Sequence, residues 1–442
     1  MALKQLTAVA ALNEAAGKVI EASVCEAQGA YLALVETEAG KRLAWAAQGE
    51  SALSKLWKDV EKEADVKDVH VAVMAMNANN AALVRRLVKW AAPTACGTKG
   101  ASVGFSDWLG AADAVVTDLF AKRQLKPVLV DFTPEDSAAI GRNFLEAVDT
   151  ATWGVLEKGY KEGYGANAAG LKSEEEIVKA LLYGYSMIGF DCSDKINLSI
   201  EKLSDEAVEK RFEQFNETFR AALHASYLNA EFKVGTNKIT FTENQLHRIV
   251  LEYGEAIMHV QFIYNSYLKN TPWDIDFELD LSKPGKVLTP QEHYLIGNEL
   301  QRNGIKLAAI CLDPLKDAEA LQENLQLHCE IADTFGYRLS FANADIAMTD
   351  TAAAMKYLKG KAHFKMNNIL WMSAVKLLQA LDADLFGKLC AVCGCEAVDG
   401  AVCGRMENGR ALALGYKKAL DVKVEGNVAE AMKAFLAAHH DE

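Results

Sequence analysis

The stretch Thr152–Lys172, TWGVLEKGYKEGYGANAAGLK, decides how the rest of the chain reads. Its first half is a helical run from Trp153-Gly154 onward, closed by two Gly-Tyr pairs, Gly159-Tyr160 and Gly163-Tyr164. Its second half holds a candidate strand, Gly163–Ala168, whose pattern Gly163 and Gly165 weaken. The fold turns on whether this helix–strand alternation repeats.

It does. From about residue 98 short apolar runs recur, each followed by a helical stretch, the signature of βα units on a parallel sheet. The candidate strands are Ala101–Phe105, Pro127–Asp131, Gly163–Ala168, Ser186–Asp191, Asp276–Leu281, Lys306–Leu312, Arg338–Asn343 and Ala362–Asn367. Eight such units point to an α/β fold, a (β/α)8 TIM-type barrel over residues 98–390. A doubly wound open sheet fits the same alternation. A helical insertion at about 200–270 divides the fourth strand from the fifth. It reads as helices at Asp205–Tyr227 and Glu243–Tyr267, with a turn or short strand pair at Phe232–Phe241. Residues 1–97 form an N-terminal α/β extension with strands at Tyr31–Val35, Arg42–Ala46 and His70–Met76. Helices are expected there at Ser51–Glu63 and Ala81–Trp90. A helix near Leu370–Leu381 closes the barrel, and residues 391–442 make a C-terminal helical tail.

Composition narrows the function. The 442 residues carry 60 acidic against 47 basic side chains, a formal charge of −13. That balance disfavours a nucleic-acid partner, whose binding rests on clustered Lys and Arg. The N-terminal segment is interrupted by Lys4, Asn13, Glu14 and Lys18, so it reads as an amphipathic surface helix and not a secretory signal. No 18 apolar residues run consecutively, so no membrane span is expected. Nine cysteines without an export signal suggest reduced thiols and a cytoplasmic protein. Cys390, Cys393, Cys395 and Cys403, spaced C-x2-C-x-C-x7-C, could bind a metal or simply fill a helix core. No dinucleotide, P-loop or serine-hydrolase motif occurs.

Barrel chemistry sits at the C-terminal ends of the strands. Those ends carry Asp107, Asp131, Asn167, Asp191, Asp280, Asp313, Asn343, Lys365 and Asn367. So many carboxylates on one rim repel unless a cation or basic group joins them. Each Asp also has the plainer reading of a helix cap, and Asp131, followed by Thr133-Pro134-Glu135, fits that best. Asp276, Glu278 and Asp280 share one strand face by alternation, as do His363 and Lys365. Inward-facing acids are costly to bury unless they bind something.

The opening stretch resembles the tagaturonate epimerase family, where it reads close to TWGVFQEGYSEGFGADADHLK. The likeness continues through Phe105-Ser106-Asp107-Trp108-Leu109-Gly110 and Ser186-Met187-Ile188-Gly189-Phe190-Asp191. It extends to Phe277-Glu278-Leu279-Asp280-Leu281-Ser282-Lys283, Leu339-Ser340-Phe341-Ala342-Asn343 and Ala362-His363-Phe364-Lys365. It implies a barrel isomerase that interconverts keto-uronates by retro-aldol cleavage and re-addition, with a divalent metal ion holding the enediolate. The chain departs from the family pattern where polar groups are expected: Asn167, Ala169, Gly170, Ser282, Lys283 and Ala342. Strand ends and resemblance together assign catalysis to Glu162, Lys365 and Asp280, and substrate binding to Asp107, Lys172, Asp191, Asn343 and Asn367. The metal would sit on His363 and Asp280. The expected function is a divergent sugar or keto-uronate epimerase acting on a small carbohydrate acid or ketose. The alternative is a catalytically inactive barrel kept for binding or regulation.

Overall fold

The computed structural model describes residues 3–49, 54–108, 110, 113–121, 125–282, 286–312, 318–344, 357–366, 369–370, 379–380, 382–384 and 386–388. The cysteine cluster, the C-terminal tail, Asp313 and Asn367 lie outside them, as does most of the helix expected at Leu370–Leu381.

Helix α1 (Gln5–Ala15) opens the chain, followed by strands β1 (Lys18–Val19), β2 (Cys25–Ala27), β3 (Ala30–Thr37), β4 (Gly40–Gln48), β5 (Val60–Val66) and β6 (Val69–Met74), then α2 (Ala78–Leu87). The strands form one antiparallel sheet in the order β1-β3-β4-β6-β5, with β2 beside β3. Alternation gives the sheet two apolar faces. Ala33, Val35, Ala44 and Val71 pack on α1; Leu32, Leu34, Trp45 and Met74 pack toward α2 and toward Trp153 and Leu156. The helix expected at Ser51–Glu63 is overturned in its described part, which holds a single 3-10 turn at Ser54–Leu56 and then β5. The Glu, Lys and Ala of VEKEADV favour helix in isolation. At a sheet edge, however, a charged, solvated strand is the stable choice because it resists pairing with another chain.

The barrel begins at β7 (Ser102–Phe105). It continues through α3 (Asp113–Phe120), β8 (Lys126–Phe132), α4 (Pro134–Ile140), α5 (Phe144–Lys158), β9 (Gly165–Leu171), α6 (Glu174–Tyr183) and β10 (Met187–Asp191). The insertion follows as α7 (Asp205–Phe212), α8 (Glu217–Tyr227), the hairpin β11 (Phe232–Val234) and β12 (Asn237–Ile239), and α9 (Glu243–Ile263). Then come β13 (Asp276–Asp280), α10 (Pro290–Arg302), β14 (Ala309–Leu312), α11 (Ala318–Phe335), β15 (Arg338–Phe341) and β16 (Ala362–Met366). The eight long-range strands close in the order β10-β13-β14-β15-β16-β7-β8-β9, every neighbour pair parallel. This is the (β/α)8 barrel. No helix among the described residues is long and apolar enough to cross a membrane.

The opening stretch is the joint between barrel and N-terminal sheet. Gly154 of α5 lets that helix press on α3, where an added Cβ would sit 2.7 Å from the Asp113 Cβ. Gly159 caps α5 in the left-handed region at φ 59°, and a Cβ there would lie 2.3 Å from the Ala22 carbonyl oxygen. Strand β9 forms despite its glycines because β8 and β10 pair with it on both sides and all seven of its residues are buried. Tertiary pairing overrides weak strand propensity there.

Candidate active site

Alternation along the barrel strands sends the apolar residues outward and leaves a polar interior. On β13, Phe277 and Leu279 join the core under the helices while Asp276, Glu278 and Asp280 face away from it. On β16, Phe364 and Met366 do the same, turning His363 and Lys365 inward. All five of these polar side chains are buried.

They occupy successive levels. Asp276, at the N-terminal end of its strand, accepts from the backbone N–H groups of Cys96 (2.6 Å) and Gly97 (3.0 Å), a closure of the barrel floor. Glu278, in the middle, forms a buried ion pair with the Lys365 ammonium. Asp280, at the top, accepts from the Ser282 N–H (2.8 Å) and hydroxyl (2.5 Å).

A second group stands at the middle level. Asn167 donates to Asp131 Oδ1 at 3.0 Å, and His363 Nε2 stands 3.7 Å from Asp131 Oδ2. His363 Nδ1 shares a 2.8 Å hydrogen bond with the Ser102 hydroxyl, which fixes the ring. Glycines make room for these groups. A Cβ at Gly104 would fall 2.4 Å from Asp131 Oδ2, and one at Gly189 would fall 3.2 Å from Glu278 Oε1. Five buried atoms on this wall have no protein hydrogen-bond partner: Asp131 Oδ2, Asn167 Oδ1, Glu278 Oε2, Ser340 Oγ and His363 Nε2. Buried polar atoms left unpaired are costly, so such a cluster calls for water or a polar ligand.

The charges reinforce one another. Burial pushes the Asp131 carboxyl up, but Lys365 and His363 outweigh it and hold the group below its ordinary range. Burial opposes the Lys365 charge, yet the Glu278, Asp131 and Asp280 carboxylates lift its pKa well above the usual lysine value. Burial pushes the Cys311 thiol well up, so it stays protonated. The interior therefore holds an ammonium among carboxylates.

At the rim, Asp191 pairs in register with Asp280 and accepts from the Ser193 N–H at 2.9 Å. Burial, with Asp280 adding to it, raises the Asp191 pKa. Lys172 reaches Asp191 at 3.7 Å and Asp194 at 2.9 Å. Asp107 follows β7, is buried, and accepts from the Gly110 N–H at 2.9 Å. Asn343 follows β15 with φ 52°, a turn conformation that Asn tolerates.

Thus Asp107, Lys172, Asp191, Asp280, Asn343, His363 and Lys365 belong to the barrel's interior or its C-terminal rim, as their strand positions imply. Glu162 does not join them. It is exposed on the loop leading into β9, at the opposite end of the barrel, because it precedes its strand instead of following it. Asp131 corrects the reading in the other direction. The cap of α4 is Thr133 with Asp136, which frees Asp131 to point inward. Asn167, Glu278, Ser340 and Ser102 complete the wall, and period-two alternation was the signal for them.

The carboxylate facing His363 Nε2 is Asp131, and Asp280 is held by Ser282. Among the described residues, no three His, Cys, Asp or Glu ligand atoms of the barrel lie within 4.8 Å of one another.

Comparison with known proteins agrees with this architecture. The pattern of the tagaturonate epimerase family matches residues 20–401. A tagaturonate/fructuronate epimerase of Thermotoga maritima is 27% identical over 383 residues, covering 84% of this chain and 78% of that protein. The fold is that of the fructuronate–tagaturonate epimerase of Cohnella laeviribosi. Its complex with one glycerol gives a TM-score of 0.83 at 22% identity over 96% of both chains. The complex with two glycerols gives 0.84 at 23% identity over the whole of both. With its pattern matched across most of its length, this chain belongs to the tagaturonate epimerase family.

Proposed function

We propose that the barrel interior binds a small keto-uronate or ketose and epimerises it at a carbinol carbon β to the ketone. Inversion there cannot proceed by enolisation, because the carbon is not acidified by the carbonyl. The route is retro-aldol cleavage followed by re-addition to the other aldehyde face. In the proposed sequence, His363 Nε2 takes the proton of the β-hydroxyl while the Asp131 carboxylate stabilises the resulting imidazolium. The bond between the α and β carbons breaks, giving an aldehyde and an enediolate whose negative charge the Lys365 ammonium faces. The aldehyde turns, the bond re-forms, and the imidazolium returns the proton, so atoms and charge balance. At the rim, Lys172 would meet a carboxylate, and Asp191 and Asp280 would accept hydroxyl hydrogen bonds.

One observation carries this reading: the interior holds five buried polar atoms with no hydrogen-bond partner and a buried ammonium. A polyhydroxylated substrate would satisfy both. The cationic role falls to Lys365. Ala169, Gly170, Ser282 and Ala342 stand where the sequence departs from the family pattern, so the preferred substrate is a relative of tagaturonate. Tagaturonate itself would turn over at a trace rate.

The test is a panel of keto-uronates and ketoses incubated with the protein and followed by proton NMR for the epimer. Turnover of one member, lost at least about 100-fold in Lys365→Met, supports the proposal. Binding without turnover across the panel would replace it with a binding-only barrel. Rapid tagaturonate–fructuronate interconversion would overturn the substrate preference.

A further inference from the structure

Away from the barrel, the helical insertion brings together two imidazoles and a carboxylate that the proposed reaction does not use. Glu243 and His247 lie one turn apart on the same face of α9, and His224 comes from α8. Their ligand atoms all lie within 4.8 Å of one another, and the two Nε2 atoms face each other at 2.7 Å.

The proton positions make this arrangement specific. His247 Nδ1 is 2.8 Å from the Glu209 carboxylate of α7, which can only accept, so Nδ1 carries the proton. The His247 Nε2 lone pair therefore points at His224, with the Glu243 carboxylate within the same 4.8 Å group. A carboxylate behind a histidine in this way is the usual outer support of a metal-bound imidazole, fixing its tautomer and raising its basicity. The ring is fully buried and stacked on Phe212 at 3.6 Å between centroids, so its direction is set. His224 stacks on the same Phe212 at 5.5 Å. Glu243 and Glu209 together carry the two negative charges that a divalent cation would neutralise.

We infer that His224, His247 and Glu243 form a binding site for a borderline divalent cation such as Zn2+, with Glu209 as the positioning residue behind His247. Metal–nitrogen bonds of about 2.0–2.1 Å put tetrahedral donors about 3.3 Å apart, so the imidazole nitrogens, now 2.7 Å apart, need to part by about 0.6 Å. The ion would staple α8 to the first turn of α9 and, through Glu209, hold α7 against both. Two imidazoles and a carboxylate favour zinc or cobalt over magnesium or calcium, which prefer all-oxygen sites. Without an ion, the same contact requires the His224 Nε2–H tautomer to donate to His247, and the two arrangements predict different metal contents.

The experiment uses the full chain, stripped with chelator, re-equilibrated with Zn2+ alone and analysed for bound metal. The wild type should retain one equivalent more than His224→Ala. Glu209→Gln should still fill at saturation, but with a Kd raised about 10- to 100-fold. Should His224→Ala fail to fold, the exposed Glu243→Gln replaces it, with an affinity loss of at least about tenfold expected. Equal zinc content and equal Kd in the wild type and these variants would overturn the site and leave a plain imidazole–imidazole hydrogen bond.

Discussion

Lys365 and Glu278 come from strands separated in the barrel by two others, so their ion pair spans the interior. Both side chains are almost wholly buried, and breaking such a pair from one side costs about 3–5 kcal/mol. Glu278→Gln should therefore lower stability by that order in urea denaturation. The double replacement Lys365→Met with Glu278→Leu should recover most of the loss while abolishing turnover, since catalysis needs the charge and stability does not. Asp131 gives a pH test. Its folded pKa is depressed below the ordinary 3.8, so its charge contributes stability above that value, lost as pH falls through the folded pKa. The stability difference between wild type and Asp131→Asn should be constant above about pH 5 and shrink below about pH 4.

Among the helices, α5 bears on two neighbours at once: it covers the barrel and presents Trp153 and Leu156 to the N-terminal sheet. Arg85 of α2 fastens it further by an ion pair with Asp149 at 2.7 Å. Its C-terminal Gly159 leaves no space for a side chain and takes a backbone conformation that costs other residues about 1–2 kcal/mol. Gly159→Ala should destabilise by about 2 kcal/mol or more in urea denaturation, with the N-terminal sheet releasing first by hydrogen exchange. In the insertion, the single helix expected at Asp205–Tyr227 is two, because Asn216 caps α8 by accepting from the Phe219 N–H at 2.7 Å. Asn216→Ala should cost about 1 kcal/mol, measured the same way. Both features begin in local preference: a glycine that takes the left-handed cap conformation cheaply, and an asparagine that starts a helix better than it continues one.

For the molecule as a whole, the barrel's polar interior and apolar outer shell mean that ligand binding and stability are linked. A substrate that satisfies the unpaired interior atoms should raise the unfolding free energy by about 2.7 kcal/mol at 100 times its Kd. It should raise Tm correspondingly, and the shift should vanish in Lys365→Met. A keto-uronate that is turned over without any such shift would place the site elsewhere.

What the sequence determined by itself was the alternation: eight strand–helix units, the insertion between the fourth and fifth, and which residues of Asp276–Asp280 and Ala362–Met366 share a face. These rest on period and propensity, which act between near neighbours along the chain. It also carried the family likeness. The tertiary structure decided everything that depends on which distant residues meet. Ser102 and His363 bond across 261 positions, and Lys365 reaches Glu278 across 87. Glu162 and Lys172 flank one strand, yet they end on opposite ends of the barrel because a parallel strand has direction. Asp131 could cap a helix or face inward until Thr133 took the cap. His224 and His247 look unremarkable in two separate helices until packing sets their rings together. Side-chain chemistry is written along the chain, but a site is a meeting of strands and helices, and only closure of the barrel and docking of the insertion fix which groups meet.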